Sequence, residues 1–277
     1  MHFGAHVSIA GGLPNAPKNA AAIGCEVFQF FTRSPRGGWV APINKKIIAE
    51  FKSACQEYKQ QEWYIHAPYF INFASANERV KNGSIAVIKE ELERGSLLGA
   101  QYLMTHLGSY KDLGKEKGFA QLVDCLAQIM KGYKGTTQFL LEISAGASNA
   151  IGDTFENMGE ILHHKKLEKY NIGVCYDTQH AFAAGYDCRT TKTLDETLKM
   201  FNTSIGLDHL KLFHCNDSKT ELGSHRDRHE HIGKGQIGLN GFKSILSDQR
   251  LQHTNFILET EDDAVQKDLQ ILKKLRK

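Results

Sequence analysis

Short apolar runs alternate with longer amphipathic or charged stretches along the whole chain, and eight of these runs have the length of buried parallel strands. They are HFGAHV (2–7), EVFQFF (26–31), WYIHA (63–67), YLMTH (102–106), QFLLEI (138–143), IGVCYD (172–177), LKLFHC (210–215) and NFILET (255–260). Between them lie helical candidates such as NKKIIAEFKSACQEYKQ and ERVKNGSIAVIKEELERGSLLG, the second closing on Gly99 in the position favoured just past a helix C-terminus. Eight strand–helix units predict an α/β protein, a closed (β/α)8 barrel forming one domain over residues 1–277. A doubly wound open sheet shows the same alternation, but the segment after the first strand, SIAGGLPNA, is not the GxGxxG phosphate loop such a sheet normally carries.

Composition narrows the class. With 41% hydrophobic and 23% charged residues the chain can bury a core and is neither disordered nor a membrane channel. A net charge of +3 permits a polyanionic partner without announcing one. The six cysteines include no CxxC pair, and the N-terminus MHFGAHVSIAGG lacks a signal-peptide pattern, so a reduced, cytoplasmic protein with no membrane association is expected. The basic tail ILKKLRK reads as the solvated end of a helix.

Metal-type ligands fall at the strand ends. His66, His106, Glu142, Asp177, His214 and Glu259 stand at or near the ends of strands three to eight, and such positions converge on the C-terminal mouth of a barrel. His180, three residues after Asp177, and Asp227 and His229 in the DRH triplet add loop candidates. Five imidazoles and four carboxylates gathered in one cavity require neutralising cations, and a thiolate-free N/O set points to catalytic metals rather than structural zinc. Glu142 and Glu259 weigh most, because a carboxylate inside FLLEIS or FILETE needs a partner. Cys215 follows His214 directly and so points away from the site, while Cys175 shares parity with Asp177 and belongs one layer deeper. His2, His6, His163, His164, His209 and His253 are assigned structural or surface roles, and His225 and His231 stay open. A metal-dependent hydrolase, a sugar isomerase or epimerase, and a non-catalytic DNA-binding or metal-storage protein all remain compatible with these residues.

The segments GAHVSIAGG (4–12), HAPYFIN (66–72), THLGS (105–109), LEISAG (141–146), GVCYDTQHAFAAGYD (173–187), HCNDSK (214–219), RDRHEHIGKGQIG (226–238) and ILET (257–260) resemble, in order and over nearly the whole chain, the signatures of the endonuclease IV family. That resemblance implies a TIM barrel similar to xylose isomerase and an apurinic/apyrimidinic (AP) endonuclease of base-excision repair acting on double-stranded DNA, with no obligate protein partner. It implies three zinc ions: one on His66, His106 and Glu142, one on Glu142, Asp177, His214 and Glu259, and one on His180, Asp227 and His229, with Mn or Fe acceptable in part. Glu142 is then the catalytic carboxylate. Arg36 and Tyr69 resemble the residues that enter DNA, and Lys219, Arg226 and Arg228 stand where phosphates would pass. LEISAG departs from the Asn or Thr that commonly follows the family's Glu.

Overall fold

The computed structural model describes residues 1–261 and 263–276. Eight parallel strands close into a barrel: β1 (Phe3–His6), β2 (Val27–Phe30), β3 (Trp63–His66), β4 (Tyr102–Thr105), β5 (Gln138–Glu142), β6 (Ile172–Asp177), β7 (Leu210–His214) and β10 (Asn255–Leu258). Closure comes from β1 pairing with both β2 and β10, so that Phe3 stands opposite Phe256. The eight apolar runs of the sequence are these strands; β6 matches its run residue for residue and the other seven are trimmed by one or two residues where the chain leaves the ladder. Helices α1 (Ala16–Ala22), α2 (Lys45–Glu57), α3 (Glu78–Leu98), α4 (Lys115–Met130), α5 (Phe155–Leu162), α6 (Thr178–Ala184), α7 (Thr191–Ser204), α8 (Gly238–Ser247) and α9 (Val265–Leu275) occupy the connections. None is long and apolar enough to cross a membrane.

Local chemistry sets the helix limits. The Asn77 side chain accepts from the backbone N–H groups of Arg79 and Val80 to start α3, and Gly99 ends it at a φ of 76° that a side chain would resist. Asn44 starts α2 in the same way through Ile47 N–H. A hairpin of β8 (Asp217–Ser218) and β9 (His229–Glu230), which the hydrophobic pattern does not predict, folds the loop after β7 over the barrel mouth. Buried Asp217 holds that loop, because its carboxylate accepts backbone N–H groups from Gly233, Gly235 and Ile237 at 2.9, 3.1 and 2.9 Å.

Two cores result. The larger lies between the strands' outer faces and the helices, and includes Cys215. The smaller fills the barrel axis with Val27, Tyr64, Met104, Leu140, Cys175, Leu212 and Ile257. At β1 this layer has Gly4, whose place admits no side chain, since a Cβ would lie 1.8 Å from the Val27 carbonyl oxygen.

The C-terminal tail is docked rather than solvated. Arg276 makes two hydrogen bonds to the Glu26 carboxylate, at 2.8 and 2.9 Å, and Glu26 also accepts from Phe3 N–H. Burial works against ionising Glu26, but these donors outweigh it and hold its pKa below the usual range. A depressed acid contributes stability above its unfolded pKa and loses it as pH falls. Arg276→Ala is therefore expected to cost about 1 kcal/mol near neutrality, a Tm loss of about 2–4 °C, with the gap to the wild type narrowing as pH falls below the usual glutamate range in a calorimetric series.

Candidate metal centre

Same-face side chains recur every second residue along a strand, so each member of the axial layer is followed two positions later by the residue that stands above it. Above Tyr64, Met104, Leu140, Cys175, Leu212 and Ile257 come His66, His106, Glu142, Asp177, His214 and Glu259. The same step leads from Gly4 to His6 and from Val27 to Gln29. All eight strands thus set a polar residue on top of the axial layer, at the C-terminal mouth. A cavity of about 320 Å³ opens there, lined by His6, His66, Tyr69, His106, His180, Asp227, His229, Glu259 and Thr260.

Glu142, fully buried at the end of β5, is the hub. One carboxylate oxygen lies 3.0 Å from His66 Nε2 and 3.7 Å from His106 Nε2, and the other lies 2.9 Å from His214 Nδ1 and 3.5 Å from His180 Nδ1. Glu142, Asp177, His214 and Glu259 bring one ligand atom each within 4.8 Å of one another, and Asp177, His180 and His229 do the same. Asp227 reaches His180 Nε2 at 3.3 Å and His229 Nε2 at 3.4 Å. Every residue expected from the sequence as a ligand stands in this one network. Asp177 serves twice: one oxygen caps α6 through His180 N–H at 2.8 Å, and the other faces His214 and His229.

The ring nitrogens on the far side of the site test whether this set suits a cation. His66 Nδ1 donates to the Ala67 carbonyl at 2.7 Å and His180 Nδ1 to the Ile143 carbonyl at 2.9 Å. His214 Nε2 meets Gln29 Oε1 at 2.8 Å. An outward N–H held by an oxygen leaves the inward lone pair free, which is how metal-binding histidines are oriented. His229 Nε2 is buried with no hydrogen-bond partner, a cost that a bound cation removes. These residues fit divalent metals.

Electrostatics agree. Burial alone would raise Glu142, yet the imidazoles of His106 and His214 outweigh it and hold it well below the usual carboxylate range. Burial is likewise overcome at Glu259, brought to about 2 chiefly by His214, and at Asp227, brought to about 2 by His180. His180 itself rises to about 10 against its burial, under Asp177 and Asp227. Carboxylates held ionised in this way suit a multivalent cation, which takes the imidazoles in their neutral form by displacing the proton that the carboxylates otherwise hold there. His6 differs: burial drives it down to about 3, so it stays neutral.

Sequence reasoning placed His6 among structural or surface histidines and passed over Gln29 and Asn216. His6 ends β1 and lines the mouth, while Asn216 donates to Asp177 at 2.8 Å and accepts from Glu259 N–H at 2.8 Å. A polar residue inside the apolar run EVFQFF was the available signal for Gln29. His231 bonds Asp268 at 2.7 Å and Asp263 at 3.2 Å, a purely structural arrangement, and exposed His225 joins no ligand group among the described residues. On the rim, Tyr69 is 67% exposed and packs edge-on against Phe31. Arg36, Arg226 and Arg228 are exposed on the loops after β2 and β8, whereas Lys219 is engaged with Glu261 at 3.3 Å.

The family described as xylose isomerase-like TIM barrel matches residues 17–275. A protein from Halothermothrix orenii named probable endonuclease 4 is 38% identical over 100% of both chains, and one of the same name from Methanosphaerula palustris is 40% identical over 96% of this chain and 93% of its own. The chain belongs to the endonuclease IV family. The crystal structure of endonuclease IV from Thermus thermophilus, another family member, superposes with a TM-score of 0.87 at 29% identity, covering 99% of this chain and 98% of that one. A D-tagatose 3-epimerase-like protein superposes with a TM-score of 0.74 at 21% identity, covering 99% of this chain and 97% of its own, a likeness that shows the barrel alone.

Proposed function

We propose that this chain is a metal-dependent AP endonuclease of DNA repair, which hydrolyses the phosphodiester 5′ to an abasic site and leaves 3′-hydroxyl and 5′-deoxyribose phosphate ends. The observation that carries this reading is that nine ligand-type side chains meet in one network at the barrel mouth, with the outward nitrogens of His66, His180 and His214 tied to oxygen. Relatives named endonuclease 4 support the reaction class. His66, His106 and Glu142 would hold one zinc, Glu142, Asp177, His214 and Glu259 a second, and His180, Asp227 and His229 a third. Mn or Fe suits the same ligands. Zinc bound there supplies Lewis acidity and a nucleophile at neutral pH.

In-line attack forms a bond from a water oxygen to phosphorus and breaks the bond from phosphorus to O3′, which takes a proton from solvent to become the 3′-hydroxyl. Glu142, kept ionised in a buried setting, takes the proton of the attacking water. Tyr69 and Arg36 enter the duplex at the lesion, where a missing base makes rotation of the sugar out of the stack cheap. Lys219, Arg226 and Arg228 meet flanking phosphates, which makes binding sensitive to salt.

A duplex carrying one tetrahydrofuran abasic analogue, which resists β-elimination, tests the reaction. Cleavage 5′ to the analogue, lost on chelator treatment and restored by zinc, is the expected outcome, and an intact strand with metal-replete protein refutes it. His229→Ala is expected to slow cleavage about 100-fold and to lower bound zinc by about one equivalent, with unchanged circular dichroism. Undiminished cleavage by that variant removes the third ion from the reaction.

A further inference from the structure

Gln29 touches three residues of the mouth at once. Its Nε2 lies 2.8 Å from Glu259 Oε1 and 3.0 Å from His6 Nδ1, and its Oε1 lies 2.8 Å from His214 Nε2. Gln29 is fully buried at the third position of β2, directly above Val27 in the axial layer.

Chemistry allows one orientation of this amide. An ionised carboxylate only accepts, so the group facing Glu259 must be the NH2. The carbonyl oxygen therefore faces His214, and His214 Nε2 must carry a proton to meet it. His214 is left with Nδ1 as its ligand atom, and that atom already faces Glu142 Oε1 at 2.9 Å and Glu259 Oε2 at 3.1 Å. Glu259 Oε1 is likewise occupied by the amide, which leaves Oε2 to the centre. The second NH of Gln29 binds His6 Nδ1, so the neutral imidazole carries its proton on Nε2. One side chain thus selects which nitrogen of His214 and which oxygen of Glu259 face the centre.

We infer that Gln29 is a positioning residue, which sets the His214 tautomer and the Glu259 rotamer so that both present one defined atom to the cation shared by Glu142, Asp177, His214 and Glu259. This rests on the proposed metal centre. Partners of this kind at other sites are worth about 10–100-fold in metal affinity.

The test uses zinc-loaded protein labelled with nitrogen-15 at histidine, in which long-range proton–nitrogen correlation separates metal-bound from protonated ring nitrogens. In the wild type His214 is expected to bind zinc through Nδ1 and to show a slowly exchanging proton on Nε2. Gln29→Met keeps the approximate volume but none of the hydrogen bonds. It is expected to expose that proton to exchange and to release zinc to a competing chelator about 10-fold more readily. Met104→Leu, one layer below in β4 and devoid of polar contacts, controls for packing and is expected to change neither readout. Zinc on His214 Nε2 in the wild type overturns the inference without any variant. A Gln29→Met protein with the same protected proton and the same zinc retention overturns it while leaving the metal centre intact. A His214 that contacts no zinc removes the centre itself and this role with it.

Discussion

Glu142→Gln is expected to reduce cleavage of the abasic duplex by at least about 1,000-fold and to strip bound zinc from the protein. The reason is position. The Glu142 carboxylate lies between His66, His106, His180 and His214 and is shared by two of the proposed ligand sets. An amide of the same shape removes one negative charge from both sets and turns one acceptor oxygen into a donor aimed at imidazole. Burial magnifies the loss, because a group without solvent has no other source of charge compensation. Metal analysis and cleavage rate on the same preparation check the result together. A variant that keeps its full zinc content and cuts at the wild-type rate places the catalytic carboxylate elsewhere.

Glu91→Ala is expected to lower stability by about 3–5 kcal/mol, seen as a Tm fall of about 10 °C, and to weaken binding of abasic DNA without touching a metal ligand. Glu91 is fully buried on α3 and accepts from Thr32 Oγ1 and Arg33 Nε, each at 2.6 Å. Beside it, Arg94 donates to the Thr32 and Ala41 carbonyls at 2.8 and 2.9 Å. Removing the Glu91 carboxylate leaves Arg94 without an acid partner among the described residues and Arg33 with only the half-exposed Glu90, at 2.7 Å, although both guanidinium groups have less than a tenth of their surface exposed. The loop they pin carries Arg36 and the 86% exposed Trp39. Calorimetry and fluorescence anisotropy should therefore move together, with Kd for the abasic duplex rising about 10-fold while zinc content stays constant. A Tm within about 1 °C of the wild type would show that the network does not hold the loop.

The strands, and the polar side chains that stand at their ends, were legible because both follow from a short period. A buried parallel strand must be apolar over about four to six residues, and a carboxylate within such a run has to be explained; Glu142 and Glu259 were found that way. Cys175 and Cys215 were sorted by the same parity, and they lie in the axial and outer cores respectively. His6 and Gln29 obey the rule equally well, but neither a single histidine nor a neutral amide demands a partner as a buried charge does. The β8–β9 hairpin was hidden because two-residue strands leave no periodic trace.

Taken alone, the order of residues determined the eight-strand rhythm, the place of α2 and α3, and which ligand-type side chains stand at the strand ends, since each depends on neighbours at most a few positions away. Only the closed barrel decided which of those side chains meet, which ring nitrogen each histidine turns inward, and that the charged Glu91 and Arg94 of α3 are buried beneath the loop after β2. Those outcomes depend on contacts between residues 29 and 214, 66 and 142, or 33 and 91, and separations of that size are bridged by packing rather than by any local preference of the chain.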